Sequence, residues 1–200
     1  MKTNPTPTNT QTRLLHAAAE LMWERSFSAT SVDELCQKAN AKKGSFYHFF
    51  SSKTDLAIAA IEGKWLEIKD TVFEPVFSSP ASGLTQVENL VDQAHQFQMS
   101  AMNDKRDYLG CFFGNLGQEM ARQDEKIRIC LQRIFEEHYD YLEQALVKAT
   151  KAKEIPEGDN RLRAKKLFAL FEGGMLLAKV SNDPQLFLNI KPTIRLIAEH

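Results

Sequence analysis

The sequence predicts an all-α protein built from two helical parts, and three features of the pattern support this fold class. Apolar residues recur at helical spacing in almost every segment, beginning with Leu14, Ala18, Leu21 and Met22. No segment of useful length alternates between apolar and polar residues, as a half-buried strand would. Clusters of Ser, Gly, Pro and Asn separate the periodic segments, as in the loop at residues 78–83.

The predicted helices follow one another along the chain as the apolar pattern requires. Three short helices occupy residues 13–50, and a longer one starts near Ser52 and ends around Pro75. Further helices are predicted at about 84–102, 107–122, 124–150 and 159–181. Asp183 before Pro184 is typical of an N-cap followed by proline, so a last helix begins there. Pro192 should kink or end that helix.

The composition of the 200-residue chain is that of a globular protein, with 43% hydrophobic and 26% charged residues. It contains no run of about eighteen apolar residues, so no membrane-spanning helix is expected. The N-terminus is polar and contains Pro5 and Pro7, which excludes a secretory signal. Cys36, Cys111 and Cys130 form neither a disulfide framework nor a metal motif. We therefore expect a cytoplasmic protein.

Charge is unevenly distributed along the chain, although the net charge is only −1. The first 53 residues contain seven Lys and Arg against four Asp and Glu, whereas the remainder contains eighteen against twenty-two. A basic N-terminal quarter on an acidic body is typical of a protein that binds nucleic acid through its N-terminal part. Ordinary surface variation produces differences of this size too, so the local motif has to decide.

The second and third predicted helices have the features of a helix-turn-helix. Ser31-Val32-Asp33-Glu34 matches a capping box, in which the Ser and Glu side chains satisfy free backbone amides at the start of a helix. Asn40 tolerates the left-handed conformation that the following sharp turn often needs. The next helix carries Lys42 and Lys43 and is the one expected to lie in the major groove of DNA.

These residues resemble the N-terminal signature of the TetR/AcrR family of transcriptional regulators. Thr30-Ser31-Val32 leads to Lys43–Leu56, KGSFYHFFSSKTDL, and the resemblance extends over about residues 12–58. It implies an N-terminal three-helix helix-turn-helix domain and a C-terminal helical domain for ligand binding and dimerisation. We predict that residues 1–53 form the N-terminal arm and the DNA-binding domain, and that residues 54–200 form the sensing and dimerisation domain.

The resemblance also implies DNA contacts for residues in and beside the third helix. Gly44 permits close approach to the duplex, while Ser45 and His48 face base edges or phosphates. Tyr47 reaches a phosphate through its hydroxyl, and Lys53 binds one at the start of the next helix. The predicted DNA-binding residues are Thr30, Ser31, Lys42, Lys43, Gly44, Ser45, Tyr47, His48 and Lys53.

A different interpretation is that the aromatic residues of this helix only complete a small hydrophobic core, with the lysines solvated. We expect a core role for Phe46 and Phe50 in either case. Ser26 and Asn40 stand where the family usually has glycine, so Ser26 implies a reshaped end to the first helix. Neither departure removes a predicted DNA contact.

Two late apolar stripes predict a homodimer through the last two helices, which the resemblance also implies. One helix carries Leu167, Leu170, Phe171, Gly174, Met175 and Ala178, and the next carries Leu186, Phe187, Ile190 and Ile194. Two such helices from each subunit would form a four-helix bundle on a two-fold axis and bind a roughly palindromic double-stranded operator. The alternative is that both stripes serve only the core of one chain.

Aromatic and soft side chains in the middle helices predict a site for a small apolar or aromatic inducer. The predicted ligand-binding residues are Trp65, Tyr108, Cys111, Phe112, Phe113, Met120, Phe135, Tyr139, Phe168 and Lys179. For any one of these aromatic rings, core packing is the simpler role.

Cys111 lies in the first turn of a predicted helix, where the helix N-terminus favours the reactive thiolate. The surrounding segment resembles a branch of the family that senses electrophiles and oxidants through a cysteine at this place, with a lysine nearby that Lys179 resembles. Such an ammonium would lower the thiol pKa further. Modification of Cys111 would then release the protein from DNA. The alternative is an inert, buried cysteine.

The histidines show no paired ligand spacing, so the sequence predicts no metal, no cofactor and no enzymatic activity. They are His16, His48, His95, His138 and His200. The sequence therefore predicts a transcriptional regulator, most simply a repressor that a ligand or modification of Cys111 releases from its operator. The rival is a helical ligand- or thiol-sensing protein that acts through a protein partner and makes no use of the basic Lys42–Lys53 segment.

Overall fold

The computed structural model of the protein describes residues 9–102 and 107–199, and within them helices and turns occur but no strand. The all-α prediction is therefore confirmed. The predicted N-terminal arm, as far as residue 8, and His200 lie outside the described residues.

Local hydrogen bonds and backbone conformation explain where the first helices begin and where the chain turns between them. These helices are α1 (Thr10–Glu24), α2 (Val32–Lys38), α3 (Lys43–Phe49) and α4 (Lys53–Ile68). The Asn9 side chain caps α1 by accepting a hydrogen bond from the Thr12 amide at 2.8 Å. The predicted capping box is confirmed, because Ser31 and Glu34 each accept the other's backbone amide. Asn40 adopts a φ of 47°, the left-handed conformation predicted for the turn.

The remaining helices are longer on average and complete the chain. A π-helical turn, Lys69–Phe73, connects α4 to α5 (Glu74–Phe77). The others are α6 (Gly83–Met102), α7 (Phe112–Met120), α8 (Glu125–Lys151), α9 (Asn160–Ser181), α10 (Gln185–Leu188) and α11 (Lys191–Glu199). The Asp159 side chain caps α9 at 2.9 Å from the Leu162 amide, and Asn182 ends this helix in the left-handed conformation.

Two predicted helix boundaries are wrong, each for a local reason. The helix expected from residue 107 begins at Phe112, because Gly110 has a φ of 72°, which ends any helical course before it. The last helix is two helices, and Pro192 lies in the first turn of α11 instead of ending a helix. Proline is tolerated there because the first-turn amide has no intrahelical acceptor.

The described chain divides into two compact units. The first consists of the described residues up to Trp65 together with Asn115–Leu131. The C-terminal part of α7 and the start of α8 therefore pack with α1–α3 and most of α4. The second consists of Leu66–Gly114 and the chain from Gln132 onwards. This division follows packing, whereas the boundary predicted at residue 53 concerns function and stays a prediction.

In the second unit, α9 is the central helix and packs on α10 and α11, which also contact α6. None of the described helices combines the length and apolar character that crossing a membrane requires. The same described residues hold no group of three side chains suited to bind a metal ion.

Candidate DNA interface and sensing site

Helix α3 presents a polar face and buries an apolar one. Phe46 and Phe50 are buried, as predicted for the small core. On the other side Tyr47 is 56% exposed, and its ring packs edge-on against Phe46 at 5.0 Å. His48 and Gly44 are also exposed, and a Cβ at Gly44 would have no neighbour within 4 Å. The polar face can therefore approach another molecule closely.

Two lysines flank this face at the start of α3. Lys42 is exposed, and Lys43 forms an ion pair with Asp33 at 2.8 Å. The hydrogen bond from Lys43 to Asp33 raises the pKa of the lysine. Both partners are largely exposed, and such pairs contribute little. A phosphate could therefore replace Asp33 at small cost.

Three of the predicted DNA-binding residues use their polar groups within the chain. Thr30 is buried and its hydroxyl donates to the Ser26 carbonyl at 2.8 Å, while the Ser31 hydroxyl belongs to the capping box. The Lys53 ammonium donates to the Phe27 carbonyl at 2.6 Å and lies 4.1 Å from the Phe27 ring centre. Burial lowers the pKa of Lys53. These residues hold the turn before α2, and Ser45 is half-buried in α3.

Glu119, which no sequence motif marks, holds the same turn from α7. Its carboxylate accepts the backbone amides of Phe27 at 2.9 Å and Ser28 at 2.7 Å. Burial acts to raise the pKa of Glu119, but hydrogen bonds from Ser28, Phe27 and Ser26 outweigh it, so the pKa is lowered. The Ser26 hydroxyl also accepts the Ala29 amide at 3.1 Å. Ser26, which stands where the family usually has glycine, therefore stabilises the turn.

Replacing Glu119 with alanine should lower the free energy of unfolding by about 1–3 kcal/mol, because two amides lose a charged acceptor. Urea unfolding followed by circular dichroism measures this change. Glu125→Ala is the matched control, since Glu125 is exposed and forms a surface ion pair with Arg128, three residues further along α8. Equal effects of the two substitutions would contradict the role given to Glu119.

The predicted ligand-binding residues divide between the two units. Trp65 and Met120 are buried in the first unit. In the second unit Phe168 packs against Phe135 at 4.9 Å and against Tyr139 at 5.2 Å. The remaining predicted residues of that unit are Tyr108, Cys111, Phe112, Phe113 and Lys179. The structure thus brings together part of the predicted set around α9.

His138 lies at the centre of this aromatic cluster, and no motif in the sequence indicates this position. Its ring is surrounded by Phe73 at 4.8 Å, Phe168 at 5.2 Å and Phe113 at 5.8 Å. Nδ1 lies 2.7 Å from the Ile134 carbonyl, to which it donates as the neutral tautomer. Burial lowers the pKa of His138 to about 4. The ring is therefore neutral at physiological pH.

Cys111 immediately precedes α7, and its Sγ accepts the Gly114 amide at 3.3 Å. The thiol in turn donates to Glu172 on α9. Burial, with Glu172 adding to it, raises the pKa of Cys111 well above its usual value. The prediction of a lowered thiol pKa is therefore wrong. The sequence shows the helix N-terminus next to the cysteine but not a carboxylate some sixty residues away in the chain.

The segment before Cys111 is tied to two helices. The Tyr108 amide donates to the Asn182 side chain at 2.8 Å, and the Gln98 amide group donates to the Gly110 carbonyl at 2.9 Å. A Cβ at Gly110 would lie 3.1 Å from the Lys179 side chain, so the alkyl part of this lysine covers the glycine. The Tyr108 hydroxyl is buried without a hydrogen-bond partner among the described residues.

Most residues of the two stripes predicted to form the dimer interface are buried within the chain. Leu167, Ala178, Phe187 and Ile194 are at most 1% exposed. A Cβ at Gly174 would lie 2.8 Å from Ile190, so α9 packs closely on the chain that follows. The prediction that these residues meet a partner is wrong, and the alternative of an intrachain core is correct for them.

A different face of α9 is exposed and apolar, and we call it the α9 outer face. Its apolar members Ala169, Gly173, Leu177 and Val180 recur every three or four residues. Leu162 lies on the same side one further step toward the helix start, with the exposed Lys166 between it and Ala169. Leu177 is 61% and Val180 76% exposed. A Cβ at Gly173 would meet nothing within 4 Å. Leu196 on the adjacent α11 is exposed as well, so an apolar surface extends over both helices.

Helix α2, the tight turn at Asn40 and helix α3 with its exposed polar face form a helix-turn-helix, and a larger helical part follows it. This arrangement is that of a DNA-binding protein. The chain matches the family described as bacterial regulatory proteins, tetR family, over residues 14–60. It matches the tetracyclin repressor-like C-terminal domain over residues 83–191. The chain belongs to the TetR family and is a transcriptional regulator with a DNA-binding helix-turn-helix.

Known proteins of this kind resemble the chain over most of its length. The transcriptional regulator AcuR of Cereibacter sphaeroides is 29% identical over 86% of this chain and 77% of its own. The transcriptional repressor NemR of Escherichia coli is 25% identical over 88% of this chain and 86% of its own. A crystal structure of a regulatory protein TetR from Rhodobacter sphaeroides has a TM-score of 0.84 and 26% identity, covering 95% of this chain and 99% of that one. The family and these relatives are transcriptional regulators, not enzymes, and TetR regulators bind DNA operators as dimers.

Proposed function

We propose that this protein is a cytoplasmic repressor that binds a roughly palindromic operator as a homodimer and leaves it when an inducer binds or Cys111 is modified. The exposed polar face of α3 carries this proposal. Gly44 gives access to the groove floor, and His48 and Tyr47 stand at either side of it. Lys42 and Lys43 add attraction to phosphates at the helix start.

The functional boundary proposed between residues 53 and 54 separates DNA binding from sensing. Thr30, Ser31 and Lys53 belong to the DNA-binding part as residues that shape the turn before α2. Their hydroxyl and ammonium groups are engaged with that turn. Because a misplaced turn changes the angle at which α3 leaves α2, these residues act on DNA affinity through the orientation of α3.

The dimer is proposed to form through the outer surface of α9 and α11. From Ala169 to Val180 the α9 outer face is an apolar stripe on one side of a 22-residue helix, and the exposed Lys166 separates it from Leu162. Two copies of it, with Leu196 of α11 beside each, form a self-complementary four-helix contact on a two-fold axis. Gly173 at its middle allows the backbones of the two α9 helices to approach closely. Such a dimer presents two recognition helices to successive major grooves about 34–36 Å apart.

The inducer is proposed to be a small apolar or aromatic compound bound among Tyr108, Phe113, Phe135, Tyr139 and Phe168. The aromatic cluster around His138 supports this class of ligand. A ligand that prefers a form with badly spaced recognition helices lowers DNA affinity by its differential binding. The relative NemR is named a repressor, and its solved structure is of a reduced form, which supports a thiol-dependent signal here.

Operator binding is tested with the purified protein and labelled DNA from the region flanking its own gene, against random DNA, over a salt series. We expect selective binding that weakens steeply with salt. Replacing Lys42, Tyr47 and His48 with alanine should lower the affinity at least about hundredfold, because each lost base or phosphate contact costs about 1–3 kcal/mol. Lys151→Ala, an exposed lysine of the second unit, is the matched control.

Retained selective binding by the triple variant would contradict the proposed docking of α3. Absence of binding to any DNA, with the fold and dimer intact, would favour a sensor that acts through a protein partner. For the signal, alkylation of the wild-type protein with iodoacetamide should release the operator, and Cys111→Ser should stay bound after the same treatment.

A further inference from the structure

Cys111 and Glu172 form a buried thiol–carboxyl pair at the start of α7. The thiol donates a hydrogen bond to the Glu172 carboxylate, which reaches across from α9. The Glu172 carboxylate lies directly over Gly114, where a Cβ would overlap Oε2. Only a residue without a side chain leaves room for the carboxylate at this place. Gly114 and Glu172 therefore fit each other and place a negative group beside the sulfur.

The groups that face the sulfur determine which charge it can carry. Glu172 faces it from α9, Tyr108 from the segment before α7, and the alkyl part of Lys179 covers the adjacent Gly110. Burial raises the pKa of Glu172, and burial together with Cys111 raises the pKa of Tyr108. A thiolate here would stand beside a carboxylate in a poorly hydrated site, and two like charges at this range repel strongly.

We propose that the Glu172 carboxylate holds Cys111 in its thiol form and repels anionic reagents, so that the site responds to neutral electrophiles and not to anionic ones. This inference rests on the sensing role proposed for Cys111. The thiol is buried, but the Cys111 residue as a whole is partly exposed, and small reagents would approach the sulfur from that exposed side. The unpartnered Tyr108 hydroxyl stays protonated and can donate to a carbonyl or amide oxygen of a neutral reagent.

The selectivity follows from the chemistry of the reaction. When iodoacetamide reacts, the bond from sulfur to carbon forms, the carbon–iodine bond breaks and iodide leaves. The thiol proton is released to solvent as the thiolate forms. Iodoacetate undergoes the same displacement, but its own carboxylate must first approach Glu172. The wild-type protein should therefore favour iodoacetamide over iodoacetate far more strongly than a free thiol does.

The test measures the rate of Cys111 alkylation by iodoacetamide and by iodoacetate at pH 7.5, using mass spectrometry of the Cys111 peptide. Glu172→Gln keeps the shape of the side chain and removes its charge. We expect the iodoacetamide rate to rise about threefold, because a lower thiol pKa gives more thiolate of lower nucleophilicity. The iodoacetate rate should rise about tenfold or more, because the repulsion is also removed.

Buried Cys36 and Cys130 serve as internal controls for general loosening of the fold. If Glu172→Gln only loosened the protein, both reagents would gain equally at Cys111 and the two other cysteines would be labelled as well. An unchanged ratio of the two rates overturns the proposal. Should the variant fail to fold, the ratio in wild-type protein is compared with that in urea, where it should fall about tenfold, and an equal ratio overturns the proposal too.

The ratio of alkylation rates and the release of the operator after alkylation are independent measurements. If alkylation of Cys111 leaves the operator bound while Glu172→Gln shifts the rate ratio, the proposed release mechanism fails and the role of Glu172 stands. If alkylation releases the operator but the ratio of the two rates is unchanged in Glu172→Gln, the release mechanism stands and the role proposed for Glu172 fails.

Discussion

Replacing Val180 with glutamate should convert the dimer into monomers at micromolar concentration. Val180 is 76% exposed on the α9 outer face, so the substitution leaves the core of the chain untouched. In the proposed dimer the two-fold axis brings two copies of the new carboxylate into an apolar contact. Burying an unpaired charge there costs several kcal/mol, which raises the dimer dissociation constant by about a hundredfold or more. Sedimentation equilibrium measures this constant directly.

Leu66→Glu is the matched control for that experiment. Leu66 is 60% exposed, about as much as Leu177, but it lies on α4, outside the α9 outer face. The Leu66→Glu variant should remain a dimer and bind the operator with the wild-type affinity. The Val180→Glu monomer should bind a half-site weakly and lose the affinity gained by pairing two half-sites. A Val180→Glu protein that is still dimeric would place the interface elsewhere.

Acidification should destabilise the protein through His138. The unfolded chain protonates this histidine near pH 6.5, whereas burial keeps the folded state neutral down to about pH 4. The unfolded state therefore binds more protons between these two values, and the free energy of unfolding falls as the pH falls. The loss through this window is about 3 kcal/mol, and the His138 contribution is constant above pH 6.5. Urea unfolding at a series of pH values measures it.

His138→Phe and His138→Gln both remove the titrating group and should remove this part of the pH dependence. The two variants are expected to differ in absolute stability, because only glutamine retains a donor for the Ile134 carbonyl. Their curves between pH 6.5 and pH 4 should nevertheless run parallel to each other and be flatter than the wild-type curve. A wild-type slope in either variant would show that another group causes the acid destabilisation.

Local sequence patterns sufficed for the features of the molecule that depend on near neighbours in the chain. The capping box at Ser31, the left-handed Asn40 and the buried Phe46 each depend on residues within a few positions. Helical periodicity likewise identified an all-α protein. The exposed face of α3 follows from the same reasoning, because a short helix that buries Phe46 and is followed directly by the buried Phe50 must turn its other residues outward.

Features that depend on distant residues could not be predicted in this way. Lys53 has the charge and the position of a phosphate ligand, but its ammonium donates to the carbonyl of Phe27, 26 residues earlier in the chain. Glu119 and Glu172 look like ordinary polar positions of amphipathic helices, and only the packing shows which amides and thiol they meet. The α9 stripes illustrate the same limit, since apolar residues cover two sides of that helix and periodicity does not say which side faces the core.

The π-helical turn at Lys69–Phe73 affects how the chain can vary in length. A π-turn closes its hydrogen bond over one residue more than an α-turn, so this stretch holds one residue beyond what a regular helix needs. Deleting Asp70, which is exposed, would let the turn close as an ordinary α-turn. Phe73 would keep its direction toward His138 and Tyr141, because the residues beyond the turn are not rotated. A single-residue deletion is therefore expected to be tolerated here, in the middle of a helix, where elsewhere it would turn every following side chain by about 100°.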